Sequence, residues 1–172
     1  MRRMKYYKAA IIFFIAFILQ TTVLSRIFVL GATPNLLLCL TVVFVYLYDE
    51  NYGLVYGLVF GALLDITTQL YFGVETLAIV LACIPALFLR RIFNPEKIPP
   101  SVLSILLATV INLFGVWTIY AISGVETNIA VVISTIPGLF FSHIILAIVL
   151  HLCFVRTIIR HRGDRNYSGG VM

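Results

Sequence analysis

Residues 53–65 read GLVYGLVFGALLD and contain the most regular pattern in the sequence. Gly53, Gly57 and Gly61 are spaced four apart, and Asp65 continues the same spacing. In an α-helix these positions follow one slowly turning stripe, because each step of four overshoots a full turn by about 40°. A row of glycines lets another helix backbone approach closely. The pattern therefore predicts a tightly packed helix, whose neighbour lies either in this chain or in a partner protein.

The composition of the chain places this helix in a membrane. The chain has 172 residues, of which 62% are hydrophobic and 11% are charged, and its mean hydropathy is +1.08. Soluble domains are roughly 45–50% apolar and about 25% charged, and disordered chains combine low hydrophobicity with high net charge. The composition therefore argues against a soluble globular protein and against a disordered chain, and we predict an all-α integral membrane protein.

Six apolar runs fit this length, since a spanning helix takes about 20 residues. We predict a single transmembrane domain over residues 1–172 with Pro85 and Pro137 kinking the fourth and sixth spans. The predicted spans are 9–25, 34–48, 52–69, 74–90, 101–122 and 128–155, and the predicted basic cytoplasmic tail is 156–172. Spans two to four are short, so one full crossing with a re-entrant pair is an alternative to three crossings.

The positive charges indicate how the spans are oriented. With six spans, 11 of the 12 lysines and arginines fall on one side, and Arg26 alone falls on the other. Short cytoplasmic loops collect lysine and arginine, so we predict that both termini are cytoplasmic. Orientation and attraction to lipid headgroups account for the net charge of +5 without nucleic-acid binding.

Asp65 is the one acid well inside a predicted span. A carboxylate at membrane depth costs several kcal/mol unless it is paired, neutral or hydrated, and it marks a functional site by default. Glu75 and Arg26 are predicted on the same outer side as Asp65, so the three form a predicted outer polar cluster. One interpretation is a structural cluster in which Arg26 pairs with an acid. The other is a polar pocket or docking site for a partner segment.

The remaining polar residues do not form a recognisable catalytic or metal-binding set. We find no nucleophile–base pair, phosphate loop or metal-ligand cluster, so we predict no enzymatic activity, no metal and no cofactor. His143 and His151 are eight residues apart, and we interpret them as hydrogen-bonding residues between helices. Gln20 and Asn112 are predicted to be buried amides that hold helices together.

Several of these segments resemble the bacterial rod shape-determining protein MreD family. The resemblance rests on residues 19–24 (LQTTVL), 34–38 (PNLLL), 53–61 and 63–65 (LLD), followed by Gly73. The family-motif residues are Gln20, Pro34, Asn35 and Gly73. The resemblance implies a fold like the six-helix substrate-binding subunits of energy-coupling-factor transporters.

The resemblance also implies a function. It implies a non-enzymatic scaffold or regulatory subunit of the cell-elongation complex, in the bacterial cytoplasmic membrane, that maintains rod shape during side-wall peptidoglycan synthesis. The implied direct partner is an MreC-like bitopic membrane protein. The implied indirect partners are a class B penicillin-binding transpeptidase, the RodA glycosyltransferase and MreB filaments. The alternative is a subunit of a membrane transporter that binds a small, vitamin-like molecule in the outer polar cluster.

Overall fold

The computed structural model of the protein describes residues 6–48, 50–68, 71–93, 97–125 and 128–167. Within these ranges the chain forms helices and turns and no β-strand, apart from an isolated bridge between Val29 and Ala32. The prediction of an all-α protein is confirmed. Arg2, Arg3 and Lys5 of the predicted cytoplasmic N-terminus lie outside the described residues, as do residues 69 and 168–172 of the predicted third span and tail.

Eight α-helices and one short 3-10 helix make up the described chain. The 3-10 helix is Leu24–Arg26. The α-helices are α1 (Tyr6–Thr22), α2 (Leu36–Leu47), α3 (Glu50–Thr68), α4 (Val74–Ala82), α5 (Ile84–Ile92), α6 (Ile98–Ile122), α7 (Ile129–Ser134) and α8 (Ile136–Tyr167).

Three of the described helical stretches are long and apolar enough to cross a membrane. They are Tyr7–Arg26, Ile98–Ile122 and Ile129–Val155, and they correspond to predicted spans one, five and six. The apolar stretches Leu36–Leu47 and Asn51–Thr67 are shorter. The last helix, α8, extends to Tyr167. It therefore continues beyond residue 156, where the predicted cytoplasmic tail begins.

Both predicted proline kinks are present as breaks between helices. α4 ends at Ala82 and α5 begins at Ile84, with Pro85 in its first turn. α7 ends at Ser134 and α8 begins at Ile136, one residue before Pro137. Proline lacks an N–H donor and clashes with the preceding turn, so a helix restarts at the proline instead of running through it.

α2 is the central helix of the bundle. It contacts α1, α3, α4, α5, α6 and α8, and residues 37–48 are all buried. Its 12 residues extend about 18 Å, which is shorter than the roughly 30 Å of bilayer hydrocarbon. The terminal N–H and carbonyl groups of a helix lack intrahelical partners, and in an apolar helix packed this closely the surrounding protein is well placed to satisfy them.

Arg90 satisfies the C-terminal end of α2. Its guanidinium donates from Nη1 to the carbonyl oxygen of Val45 at 2.8 Å and from Nη2 to that of Tyr48 at 3.0 Å. The last carbonyls of a helix lack intrahelical donors and carry partial negative charge, which a cation stabilises. A residue that we assigned to membrane orientation therefore also joins α5 to α2.

The glycine stripe of α3 packs against helices of the same chain. A Cβ atom at Gly53 would lie 2.5 Å from Val45 Cγ2, and one at Gly57 would lie 2.5 Å from Thr41 Cγ2, both on α2. A Cβ at Gly61 would lie 3.1 Å from the Cα of Thr76 on α4. Of our two alternatives, the structure favours packing within the chain, and these glycine faces are not open to a partner.

The outward faces of the helices are apolar. Large exposed hydrophobic side chains occur on all the long helices and include Phe14, Leu58, Leu81, Leu107 and Ile145. A soluble protein exposes such residues singly, whereas a continuous apolar belt matches the acyl chains of a bilayer.

We predict that Gly53→Ala destabilises the protein and that Gly115→Ala does not. At Gly53 the added methyl group would also lie 2.8 Å from the backbone nitrogen of Val45, whereas at Gly115 the nearest atom is Ala78 Cβ at 3.6 Å. Overpacking costs about 1–3 kcal/mol, while alanine in an open helical site gains up to about 1 kcal/mol over glycine. Thermal unfolding in detergent measures both variants, and equal Tm values would contradict this packing.

We also predict that Arg90→Gln lowers Tm and that Arg91→Gln leaves it unchanged. Both arginines lie in the last turn of α5, but Arg91 is exposed, so the pair separates capping of α2 from loss of one positive charge. Losing hydrogen bonds from a charged donor costs about 1.5–3 kcal/mol. The expected drop is roughly 3–12 °C, and a similar drop in Arg91→Gln would refute the assignment.

Candidate functional site

The N-terminal end of α2 lies in a network of polar side chains from several helices. Asn35 caps the helix, because its Oδ1 accepts from the backbone N–H of Leu38 at 2.9 Å. Both polar atoms of the Gln20 side-chain amide, on α1, form hydrogen bonds to this segment. Its Oε1 accepts from the N–H of Leu36 at 2.7 Å, and its Nε2 donates to the carbonyl of Pro34 at 3.0 Å. The segment before α2 is thereby fixed against α1.

His143 of α8 binds the same helix end. Its Nε2 accepts from the backbone N–H of Asn35 at 3.0 Å, and its Nδ1 lies 2.7 Å from Thr109 Oγ1 on α6. Thr109 donates its own proton to the carbonyl of Ile105, so the Nδ1–H of His143 donates to the threonine oxygen. The buried ring therefore carries its proton on Nδ1 and joins α2, α6 and α8, which confirms that His143 bonds between helices.

Glu75 of α4 continues the network. Its Oε1 accepts from Asn35 Nδ2 at 2.5 Å and lies 3.4 Å from the donor Asn112 Nδ2 on α6. Glu75 is only 5% exposed. One carboxyl oxygen therefore lies within hydrogen-bond distance of two amides, one from the cap of α2 and one from α6.

Asp65 of α3 caps α4. Its Oδ1 accepts from the N–H of Glu75 at 2.7 Å, and its Oδ2 accepts from the N–H and the hydroxyl of Thr76 at 3.0 and 2.5 Å. The N-cap residue Gly73 has φ of 95°, a conformation that side chains disfavour, and it provides no side-chain cap. The carboxylate from α3 supplies the missing acceptors for the helix start.

A cavity of about 420 Å³ opens beside these residues. Its principal polar lining consists of Gln20, Asn35, Glu75, Thr109, Asn112 and His143. Its larger apolar lining consists of Phe28, Leu64, Leu113, Val116 and Leu139. The volume lies in the range of small-molecule sites, which combine apolar walls with a few convergent polar groups.

The structure brings together most of the predicted site residues. Asp65 and Glu75 are adjacent, as the outer polar cluster requires. Arg26 is exposed, and among the residues that the structure describes it forms no ion pair with either acid. Its predicted pairing is therefore not observed. Asp65 accepts from backbone and hydroxyl donors of α4, and Oε1 of Glu75 accepts from two amides.

The family-motif residues have structural roles at two helix starts. Gln20, Pro34 and Asn35 meet at the start of α2, and Gly73 precedes α4. Sequence reasoning did not identify Thr76, Thr109 or Arg90. The two threonines resemble other hydroxyl residues in apolar runs, and only the position of Arg90 at the end of an apolar run could have suggested a cap.

Comparison with known proteins identifies one family. The sequence model of the family described as rod shape-determining protein MreD matches residues 1–160. No curated protein and no solved structure matches the chain. The match includes Gly73, which precedes α4, and every polar residue that lines the cavity.

We predict that Asn35→Asp destabilises the protein and that adding Glu75→Gln restores stability. The single change keeps the cap on α2 but places a second carboxylate against Glu75 Oε1. The double change reverses donor and acceptor in the same space. An uncompensated buried charge costs about 3–5 kcal/mol, and a double-mutant cycle measures the coupling.

Asn128→Asp is the matched control for this pair. Asn128 also caps a helix, since its Oδ1 accepts from the N–H of Ala130 at 2.9 Å, but the residue is exposed. We expect little change in Tm for this variant. A double variant no more stable than Asn35→Asp alone would disprove the Asn35–Glu75 contact.

Proposed function

The chain belongs to the rod shape-determining protein MreD family, and from this premise we propose that it is a scaffold or regulatory subunit of the bacterial cell-elongation complex. Membership implies a role in determining rod shape. The finer proposal is that the protein acts without catalysis by binding an MreC-like membrane protein. Through that partner it would connect to a class B penicillin-binding transpeptidase, the RodA glycosyltransferase and MreB filaments.

The family match over residues 1–160 is the observation that carries this proposal. The polar network is consistent with it, because Asn35, Asp65 and His143 each hold helices of the bundle together. A rigid bundle presents fixed outer faces to a partner, which lowers the entropic cost of binding.

We further propose that six crossings place both termini in the cytoplasm of a multi-pass protein of the cytoplasmic membrane. The distribution of lysine and arginine supports this orientation. Helix directions support it too, since contacts of Asn35 with His143 and of Tyr48 with Phe154 make α2 parallel to α8. The contacts of Gly53 with Val45 and of Gly57 with Thr41 make α3 antiparallel to α2. The likeness to energy-coupling-factor substrate-binding subunits belongs to the same proposal.

The surface for the MreC-like partner is proposed on the apolar outward faces. The sequence pattern alone allows Gly57, Gly61 and Asp65 to form either a partner-facing surface or an outer pocket; in the structure Gly57 packs against α2, and Gly61 and Asp65 contact α4. Exposed side chains such as Leu58, Leu81 and Ile145 are the positions that another membrane helix can reach. Helices associate there by close packing, since lipid provides no hydrophobic drive between them.

The second candidate function is a small-molecule-binding subunit of a transporter. The cavity of about 420 Å³ beside Glu75 and Asn112 is the observation that favours it. The two functions differ in what a cell loses without the protein, because a scaffold is needed for shape and a transporter subunit for uptake.

We predict that depletion in the source bacterium converts rod cells to round cells and reduces incorporation of labelled peptidoglycan precursors along the side wall. Microscopy of labelled cells measures both effects, and re-expression of the intact chain from a second promoter is the control. Co-purification of the MreC-like protein with the re-expressed chain tests the direct contact. Unchanged rods that require an added nutrient would contradict the scaffold and support the transporter subunit.

A further inference from the structure

Glu75 has a carboxyl oxygen that the described protein does not use. Its Oε1 accepts from Asn35 and Asn112, whereas no donor in the described part of the chain reaches Oε2. The side chain is 95% buried and lines the cavity. Among the described residues Oε2 is not one of the fully enclosed polar atoms without a partner, so it is open to the cavity, where a hydrogen-bond donor can reach it.

Asn112 presents a second acceptor beside the first. Its Nδ2 donates to Glu75 Oε1 at 3.4 Å, which fixes the amide next to the carboxyl group. Its Oδ1 accepts no hydrogen bond from the described residues, and the residue also lines the cavity. Two acceptors from two helices, α4 and α6, therefore converge on one space.

Among the described residues, the cavity lining contains one ionisable acid, Glu75, and no lysine or arginine. Arg26 lies between the lining residues Ser25 and Phe28 but is not itself a lining residue, and its side chain is exposed. An occupant that carries positive charge would neutralise the carboxylate as well as satisfy its oxygen.

We propose that this cavity binds a ligand through a primary ammonium group, which donates N–H bonds to Glu75 and Asn112. A volume of about 420 Å³ is far larger than a bare ion requires. Phe28, Leu113 and Leu139 provide an apolar wall for the carbon atoms attached to the nitrogen. This inference does not depend on the role in cell elongation, because it concerns binding alone.

The same ammonium chemistry occurs in a lipid headgroup and in a soluble amine. Phosphatidylethanolamine carries a primary ammonium group, whereas phosphatidylcholine carries three methyl groups on nitrogen and has no N–H. Glycerophosphoethanolamine has the same headgroup without acyl chains. These three probes separate recognition of the N–H donors from recognition of the lipid tails.

The test measures Tm of the purified full-length chain in detergent with each probe. We expect phosphatidylethanolamine to raise Tm by roughly 5–10 °C at about 100 times its Kd, and phosphatidylcholine with the same acyl chains to give no such shift. A shift with phosphatidylethanolamine but not with glycerophosphoethanolamine identifies a lipid site. Equal shifts with both identify a site for a soluble amine.

Two variants locate the binding. Glu75→Gln keeps an acceptor for Asn35 but removes the charge, and we expect it to lose the ethanolamine-specific shift. Val116→Trp fills the cavity from its apolar wall and leaves the polar network intact, so it also should lose the shift. Leu107→Trp, on the exposed face of the same helix, is the matched control and should retain it.

Two outcomes would overturn the proposal. The first is that ethanolamine and choline probes give equal Tm shifts, or none, in the unmodified chain. The second is that the ethanolamine-specific shift persists in Val116→Trp. Either result shows that the N–H donors are not recognised in this cavity, whether or not Glu75→Gln folds.

Discussion

The structure depends on satisfying the two ends of a short buried helix. α2 is 12 residues long and contacts six other helices, and its terminal N–H groups and carbonyls lack partners within the helix. Asn35, Gln20 and His143 supply acceptors at one end, and Arg90 supplies donors at the other. Apart from the cap residue Asn35, these residues come from three other helices, α1, α5 and α8, so satisfying the ends of α2 joins those helices to it.

The same constraint explains why polar residues concentrate near one end of the bundle. α2 begins there and α4 begins close by, and each start needs acceptors that its own sequence only partly provides. Asp65 supplies them to α4 from α3, and Glu75 then reaches from α4 to Asn35. Gln20, Asn35 and His143, which support the start of α2, therefore also line the cavity, as does Glu75.

The sequence predicted where helices form and break better than it predicted which side chains meet between helices. Hydropathy and glycine spacing predicted the long helices and the close approach at Gly53, because those patterns express a local geometry. Proline predicted the breaks at 83 and 135 for the same reason. Arg90 caps α2, and Arg26 forms no ion pair with Asp65 or Glu75 among the described residues. Both results depend on which helix ends meet in space. Counting the charges on each side of the membrane does not predict that. Thr76 and Thr109 act through single hydroxyl groups that no spacing distinguishes.

The location of the glycines changes where a partner can bind and what the polar cluster can do. Because α2 and α4 pack against the stripe, the proposed partner surface is on the apolar outward faces, while Gln20, Glu75 and His143 line the cavity. Any ligand that binds only the folded bundle stabilises it by mass action. A ligand in this cavity would contact the inner sides of α1, α4, α6 and α8. Those helices also carry the outward faces. Occupancy of the cavity and presentation of the partner surface therefore depend on the same helix arrangement, so a shape-determining scaffold and a ligand site are compatible in one bundle.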